Sequence, residues 1–91
     1  MGDFMRPIEY PIDGTLDLHQ FSPKDVKDLL PEYIRECRER GIFQIRIVHG
    51  KGKGVLRRIV HGILDAHPGV EAFWREGSGG SWGATVARLK K

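Results

Sequence analysis

A glycine-lysine segment has the clearest capacity for chemistry in this sequence. After His49, glycine and lysine alternate at Gly50, Lys51, Gly52, Lys53 and Gly54. Glycine lets the backbone adopt positive φ and approach a ligand closely, and an amphipathic helical pattern follows, so free helix N–H groups would point at the segment. Arg57 and Arg58 lie in the first predicted helical turn. The segment therefore predicts a site for an anion, most naturally a phosphate.

A carboxylate and an imidazole stand two positions apart, at Asp17 and His19. Polar and apolar residues alternate over 15–19, which predicts a half-buried strand with its two leucines inward and Asp17 and His19 together on the other face. A carboxylate that orients an imidazole beside a phosphate is suited to acid–base chemistry. A structural role also fits, in which Asp17 caps a loop or pairs with Arg46 and His19 ends the strand.

The other histidines and the lysines allow two interpretations each. His49 is either a second acid–base group or the side chain that anchors its turn. Lys51 and Lys53 are either phosphate ligands or solvated loop charges. His61, on the polar face of a predicted helix, and His67, before a proline at its end, suit solvated or capping roles.

A second glycine-rich loop spans 77–83 and contains Gly80, Ser81 and Trp82. The indole of Trp82 either stacks on an unpaired base or folds back as an apolar plug.

Composition limits the classes of protein that the chain can be. Its 91 residues suffice for one domain, and the net charge of +3 permits a polyanionic partner without requiring one. No apolar run approaches the roughly 20 residues of a membrane span, and no export signal is visible at the start, so a cytoplasmic location is expected. The lone Cys37 predicts a buried thiol and makes a zinc site improbable.

The elements that must position these groups follow from periodicity and turn signals. Ser22-Pro23 with Asp25 predicts the start of a helix that ends before Gly41, kinked at Pro31 but continuous. Apolar periodicity and glycine or proline breaks predict the rest: an extended arm over 1–14, strands over 15–19, 42–48, 70–74 and 84–89, and a second helix that ends near residue 66.

The predicted order is β-α-β-α-β-β, an α/β two-layer sandwich with a mixed four-stranded sheet and both helices on one face. The two β-α-β units predict parallel neighbouring strands, and the last two strands predict an antiparallel hairpin. Ligands of such sheets gather at the carboxyl ends of the parallel strands. That edge would bring together 17–19, 49–54 and 77–83.

Three of these segments also match ordered family motifs. Leu16-Asp17-Leu18-His19, then His49-Gly50-Lys51-Gly52, then Gly79-Gly80-Ser81 with Gly83-Ala84-Thr85-Val86 resemble the successive signatures LDLHG, HGxG and GGxGAT-V of the Smr (small MutS-related) domain. The resemblance covers about residues 15–89. Gln20 stands where the family pattern has glycine, and Trp82 interrupts the third motif.

The resemblance implies an Smr-like domain over 15–91, with the fold of the C-terminal domain of translation initiation factor three. It implies nicking or cleavage of DNA or RNA, in a setting such as DNA repair, although some members act mainly by binding. The leading hypothesis is an endonuclease with Asp17, His19 and His49 as catalytic groups, and the alternative is a non-catalytic nucleic-acid or ribosome-binding module. The phosphate-binding residues would be Gly50, Lys51, Gly52, Lys53, Gly54, Arg57, Arg58, Gly80, Ser81 and Trp82.

Metal dependence is left open by the sequence. Two-metal nucleases need several converging carboxylates, and Asp17 has only Glu76 as a distant companion. One divalent cation, Mg²⁺ or Mn²⁺, bound together with phosphate and water is compatible with the residues. No membrane partner is expected, and the oligomeric state is open, a monomer being sufficient.

Overall fold

The computed structural model describes residues 12–50, 54–76 and 83–91. The elements are β1 (Thr15–Asp17), α1 (Pro23–Glu39), β2 (Gln44–Val48), α2 (Val55–Ala66), β3 (Val70–Arg75) and β4 (Ala84–Leu89). Their order and the mixed four-stranded sheet confirm the predicted fold class. Neither helix in the described ranges is long and apolar enough to cross a membrane.

The strands lie in the order β1-β2-β4-β3, with β1 parallel to β2 and β4 antiparallel to both of its neighbours. The hairpin of β3 and β4 confirms the prediction. The expectation that β2 and β3 are neighbours is wrong, because β4 lies between them. Burial explains the order: every residue of β4 except Arg88 is buried, whereas no residue of β3 is, so β4 takes the interior position and β3 the edge.

Register separates the two faces of the sheet. On the face covered by the helices, Ile47 pairs with Thr85 and Ile45 with Ala87, and Leu16 lies beside Ile47. The helices contact each other over this face and contribute to one core, whose buried helical members are Val26, Leu29, Leu30, Tyr33, Ile34, Cys37, Val60 and Leu64. The other sheet face, here called the open face, carries Asp17 and Arg46. Cys37 is buried as predicted, and burial raises the pKa of its thiol.

Helix α1 has matched signals at both ends. Ser22 and Asp25 form a reciprocal capping box, Pro23 occupies the first turn, and Arg38 lies in the last turn. The helix runs through Pro31 without a break, as predicted. Gly41 follows the C-cap at φ +79°, a conformation that favours glycine.

The first two strands are shorter than predicted, for local reasons. The N–H of Ile42 donates to the Cys37 carbonyl (2.8 Å) and that of Gly41 to Arg38 (3.1 Å), a Schellman motif that keeps Ile42 with the helix end, so β2 begins at Gln44. Strand β1 ends at Asp17 because its carboxylate accepts the His19 N–H. Strand β3 extends one residue beyond the predicted end, because Arg75 pairs with Thr85.

The predicted arm over 1–14 lies mostly outside the described residues, which begin at Ile12. Ile12 packs against the core. The Gly14 carbonyl accepts the Arg46 N–H (2.7 Å), and the Gly14 N–H donates to the Tyr33 hydroxyl (3.1 Å). Residues 12–14 are therefore tied to both the sheet and α1.

Candidate functional site

Asp17 and His19 form a hydrogen-bonded pair at the carboxyl end of β1. One carboxylate oxygen, Oδ1 of Asp17, accepts both the His19 backbone N–H (3.0 Å) and the His19 ring Nδ1–H (2.7 Å). The ring is 66% exposed and the carboxylate 53%. Because Asp17 holds Nδ1, the ring presents Nε2 outward, and no described residue forms a hydrogen bond with that nitrogen.

The Asp17 carboxylate is held in its charged form. Its pKa is lowered mainly by the backbone hydrogen bond from His19, then by the side-chain bond from the same residue, with a smaller effect of the Arg46 charge. The ion pair of Arg46 is instead with Glu76, whose Oε1 lies 2.6 Å from Nε. The loop-capping role that the sequence allowed for Asp17 is thus present together with the orientation of His19.

The carboxyl ends of β1 and β2 lie side by side, as parallel pairing requires. Asp17 is the partner of Val48 in the register, and the Leu18 N–H donates to the Val48 carbonyl (2.8 Å). Directly after β2, the backbone N–H groups of His49 and Gly50 both donate to the Gly83 carbonyl (2.9 and 2.8 Å). The described parts of all three predicted segments therefore meet at one edge of the sheet.

His49 lies on the helix-covered side of that edge, opposite the open face that carries Asp17. It is 6% exposed. Its Nδ1 is 3.0 Å from the Gly50 carbonyl oxygen, and its Nε2 is 2.8 Å from Thr85 Oγ1. Both ring nitrogens thus have partners within the protein, and burial lowers the pKa of His49.

His61 joins this cluster from α2. Its Nε2 lies 2.8 Å from Thr85 Oγ1, and its ring packs against Phe73 at 5.2 Å between centroids. Burial is the main cause that lowers the pKa of His61. The solvated or capping role expected for His61 is wrong: the residue lies at the margin of the apolar stripe, where α2 crosses β3 and β4. His67 does have a capping role, at the C-cap of α2, where its Nδ1 accepts the Gly69 N–H (2.8 Å).

Sequence reasoning did not single out Thr85 or His61 as members of the site. A signal for Thr85 was present, since it is the one polar residue in the apolar run Ala84-Thr85-Val86-Ala87. A buried hydroxyl needs a partner. The partner could not be named, because pairing it with His61 depends on how α2 lies across the sheet.

The first turn of α2 lies near the same edge, since the Arg57 charge acts on His49. Gly54 is the N-cap, at φ +81° and without a side-chain cap, and the first turn contains no acidic residue. The Arg57 side chain folds back over this end, since a Cβ atom on Gly54 would lie 3.0 Å from its Nη2. Arg58 is exposed in the same turn. The first N–H groups of a helix have no intrahelical acceptor, so this end concentrates N–H donors and guanidinium charge.

Several residues of the predicted site lie outside the described ranges. They are Lys51, Gly52 and Lys53 in the first loop and Gly80, Ser81 and Trp82 in the second. Gly50, at φ +81°, and Gly54 flank the first loop. Within the described residues, no group of three His, Cys, Asp or Glu side chains is placed to hold a metal ion.

Comparison with known proteins identifies the family. The family model described as the Smr domain matches residues 16–90, a span that contains the Asp17–His19 pair, both glycine-rich loops and Thr85. The chain belongs to the Smr domain family.

Curated relatives of this Smr domain are much longer proteins. It is 36% identical over 81 residues to a protein named Endonuclease MutS2 from Halothermothrix orenii, and 37% identical over 80 residues to one of the same name from Brevibacillus brevis. Each match covers 87% of this chain and 10% of the relative. The chain thus spans about a tenth of the length of these relatives.

Solved structures share the fold. The Smr domain of Thermus thermophilus MutS2 superposes with a TM-score of 0.80 at 28% identity, covering 87% of this chain and all of that one. YdaL, a stand-alone small MutS-related protein from Escherichia coli, superposes with a TM-score of 0.78 at 22% identity, covering 91% of this chain and 69% of that one. The second likeness concerns the fold alone.

Proposed function

We propose that this Smr domain binds the phosphodiester backbone of DNA or RNA at the carboxyl edge of β1 and β2 and cleaves it as an endonuclease. Asp17 and His19 would carry the chemistry. The segment from Gly50 to Gly54, with Lys51, Lys53 and the arginines of α2, would hold the phosphate. The endonuclease name of the MutS2 relatives supports a nuclease role, although it belongs to proteins about ten times longer.

The Asp17–His19 hydrogen bond is the observation that carries the proposal. A charged carboxylate 2.7 Å from Nδ1 fixes which ring nitrogen is protonated and leaves Nε2 to exchange protons with a substrate. The pair is exposed, so a polymer can reach it. A buried pair of the same geometry would support only a structural role.

The proposed reaction divides the work between these groups. His19 Nε2 takes a proton from the attacking oxygen, a water or a ribose hydroxyl, as that oxygen bonds to phosphorus. The bond from phosphorus to the leaving oxygen breaks, and this oxygen receives a proton from His19 or from solvent. Asp17 stabilises the imidazolium that forms, and the cations stabilise the charge that develops on the phosphoryl oxygens.

For His49, the geometry supports the anchoring role. A general acid or base needs a nitrogen within reach of the substrate, whereas both nitrogens of His49 are hydrogen-bonded inside the protein. We therefore propose that His49 anchors the loop at Gly50 and does not transfer protons to the substrate.

A divalent cation would have to be shared with the substrate. Asp17 offers one carboxylate at this edge and Glu76 is paired with Arg46, so an ion there would need phosphate oxygens and water to complete its shell. Such an ion would neutralise phosphate charge, and the roles of Asp17 and His19 derived above do not depend on it.

The second candidate is a non-catalytic nucleic-acid or ribosome-binding module. The internal use of His49 favours it, because it leaves the described site with one accessible imidazole where many phosphodiesterases would use two acid–base groups. The two candidates share the phosphate site and differ only in the requirement for Asp17 and His19.

A cleavage assay separates them. Supercoiled plasmid and a labelled RNA would be incubated with the wild type, Asp17→Asn, His19→Ala and the control His67→Gln, with Mg²⁺, Mn²⁺ or EDTA. The proposal expects nicking or RNA cleavage by the wild type and by the control, and a loss of at least about a hundredfold in the two site variants. Binding by all four proteins without cleavage that depends on the variant would establish the binding module instead.

A further inference from the structure

We propose that Thr85 and His61 are positioning residues that select one tautomer of His49 and thereby hold Gly50, where the phosphate segment begins. The importance of Gly50 rests on the proposed function, whereas the hydrogen-bond chain itself does not. Four groups make up this chain, which we call the His49 relay: His61, Thr85, His49 and the Gly50 carbonyl.

The direction of every bond in the His49 relay follows from its last member. A carbonyl oxygen only accepts, so His49 must donate its Nδ1–H to Gly50 across the 3.0 Å contact. In the neutral ring Nε2 then carries no proton and accepts the Thr85 hydroxyl (2.8 Å). The Thr85 oxygen, its proton used, accepts Nε2–H of His61 (2.8 Å). The neutral chain therefore has one consistent set of protons, in which the Gly50 carbonyl at one end and the His61–Thr85 pair at the other favour the same His49 tautomer.

The surroundings favour neutral rings. Thr85 is fully buried and His49 nearly so, and the two imidazoles meet edge to face with 6.2 Å between centroids. The charged groups that act on them are cations, Arg57 from α2 and Arg75 from β3, while β4 contributes the neutral Thr85. A second positive charge here would be repelled and poorly solvated, so the neutral, directed chain is the stable arrangement.

Backbone bonds give the His49 relay its effect on the loop. The N–H groups of His49 and Gly50 both donate to the Gly83 carbonyl, while the His49 ring donates to the Gly50 carbonyl. Gly83, the residue before β4, therefore holds the N–H groups of His49 and Gly50, and the His49 ring holds the Gly50 carbonyl. Without Thr85, the ring would lose the hydroxyl donor that keeps its Nε2 unprotonated, and only the Gly50 carbonyl would still favour one tautomer.

The first test measures the tautomers directly. Long-range ¹H–¹⁵N correlation spectra of the imidazoles at neutral pH should show Nδ1–H for His49 and Nε2–H for His61 in the wild type. Thr85→Val should mix the His49 tautomers, and Thr85→Ser should restore the wild-type pattern. A wild-type His49 protonated at Nε2, or a pattern unaffected by Thr85→Val, would overturn the inference whether or not the protein binds nucleic acid.

The second test measures binding of a labelled DNA duplex and of an RNA of the same sequence. Thr85→Val and His61→Leu should weaken binding about tenfold, whereas Thr85→Ser, His61→Gln and the control His67→Gln should stay within about twofold. The affinity of each variant would be measured at a temperature where its backbone amide spectrum shows that the protein is folded. Wild-type affinity in folded Thr85→Val and His61→Leu would overturn the positioning role.

The two tests fail separately. A wild type that binds neither polymer but shows the expected tautomers overturns the proposed function and leaves the hydrogen-bond chain supported. A wild type that binds and cleaves but shows the opposite His49 tautomer overturns the inference and leaves the proposed function in place.

Discussion

The two helices lie on the same face of one sheet, yet their N-termini are built in opposite ways. α1 begins with a capping box, a proline in its first turn and an acidic side chain at Asp25, and it has a basic residue in its last turn. α2 begins at an uncapped Gly54, has no acid in its first turn and no base in its last, and carries Arg57 and Arg58 at its positive end. Although Lys24 also lies in the first turn of α1, only α1 has an acid in its first turn and a base in its last, the placement that the helix dipole favours.

The difference indicates where the chain serves stability and where it serves binding. A cation at a helix N-terminus is unfavourable by about 0.3–1 kcal/mol, and a glycine N-cap in place of a side-chain cap by a few tenths of a kcal/mol. An anion bound at that end would offset both effects, because it would accept hydrogen bonds from first-turn N–H groups and carry a charge opposite to that of the guanidinium groups. We infer that the N-terminus of α1 contributes to the stability of the fold and that the N-terminus of α2 contributes to phosphate binding.

The largest effect should come from the core beneath α1. Leu30 is fully buried, so Leu30→Ala should lower the free energy of unfolding by about 2–5 kcal/mol, through lost burial and a residual cavity. Urea denaturation measures this. At temperatures where the variant is folded, the salt dependence of nucleic-acid binding should match the wild type. A changed salt dependence would show that α1 takes part in binding.

The cap of α1 should give the next largest effect. Ser22→Ala removes the acceptor of the Asp25 N–H and should lower the free energy of unfolding by about 0.5–2 kcal/mol, with no change in nucleic-acid affinity. Ser22→Asp keeps a capping oxygen and serves as the control. Equal stability of the alanine and aspartate variants would mean that the capping box contributes nothing.

The loss of stability in mild acid should come mainly from the buried and half-buried histidines in and next to α2. The pKa values of His49, His61 and His67 are lowered in the fold, mainly by burial, so the unfolded chain binds protons more readily. The free energy of unfolding should therefore be greatest above the unfolded histidine pKa of about 6.5 and fall as the pH drops through the lower folded values.

Denaturant titrations between pH 5 and 8 would measure this slope. His61→Gln removes one of the three groups and should flatten it, whereas Lys24→Gln on α1 should leave it unchanged. A slope that His61→Gln does not alter would contradict the assignment.

Local signals explain why so much of the fold could be predicted. Ser22-Pro23, Gly41 and the apolar periodicity of both helices each report on their own neighbourhood, and the structure agrees with them. The strand order could not be obtained in that way. Placing β4 between β2 and β3 depends on comparing the burial of whole strands, and the early end of β1 depends on a competing side-chain bond from Asp17.

The residues of the site also fall into those that local signals predict and those that depend on long-range packing. Asp17, His19 and Gly50 could be placed at one edge, because parallel strands align their carboxyl ends and the motifs mark the turns. Asp17 lies on the open face of the sheet and His49 on the helix-covered face. This difference depends on the burial of His49, which the spacing of the motifs does not reveal. The roles of Lys51, Lys53, Gly52, Gly80, Ser81 and Trp82 stay predictions, since these residues lie outside the described ranges.

One pair of variants tests the contrast between the two helix starts most directly. Val55→Asp, at a 51% exposed position beside Gly54, and Lys24→Gln, in the first turn of α1, each change the net charge by one unit in the same direction. Both should stabilise the fold by a few tenths to about 1 kcal/mol, because each makes a helix N-terminus less positive.

Binding of a labelled DNA duplex and RNA across a salt series would be measured for both variants. We expect Val55→Asp to weaken binding several-fold and to lower the steepness of its salt dependence, while Lys24→Gln leaves both close to the wild type. Equal effects of the two variants on affinity would show that only net charge matters, and would contradict a phosphate site at the start of α2.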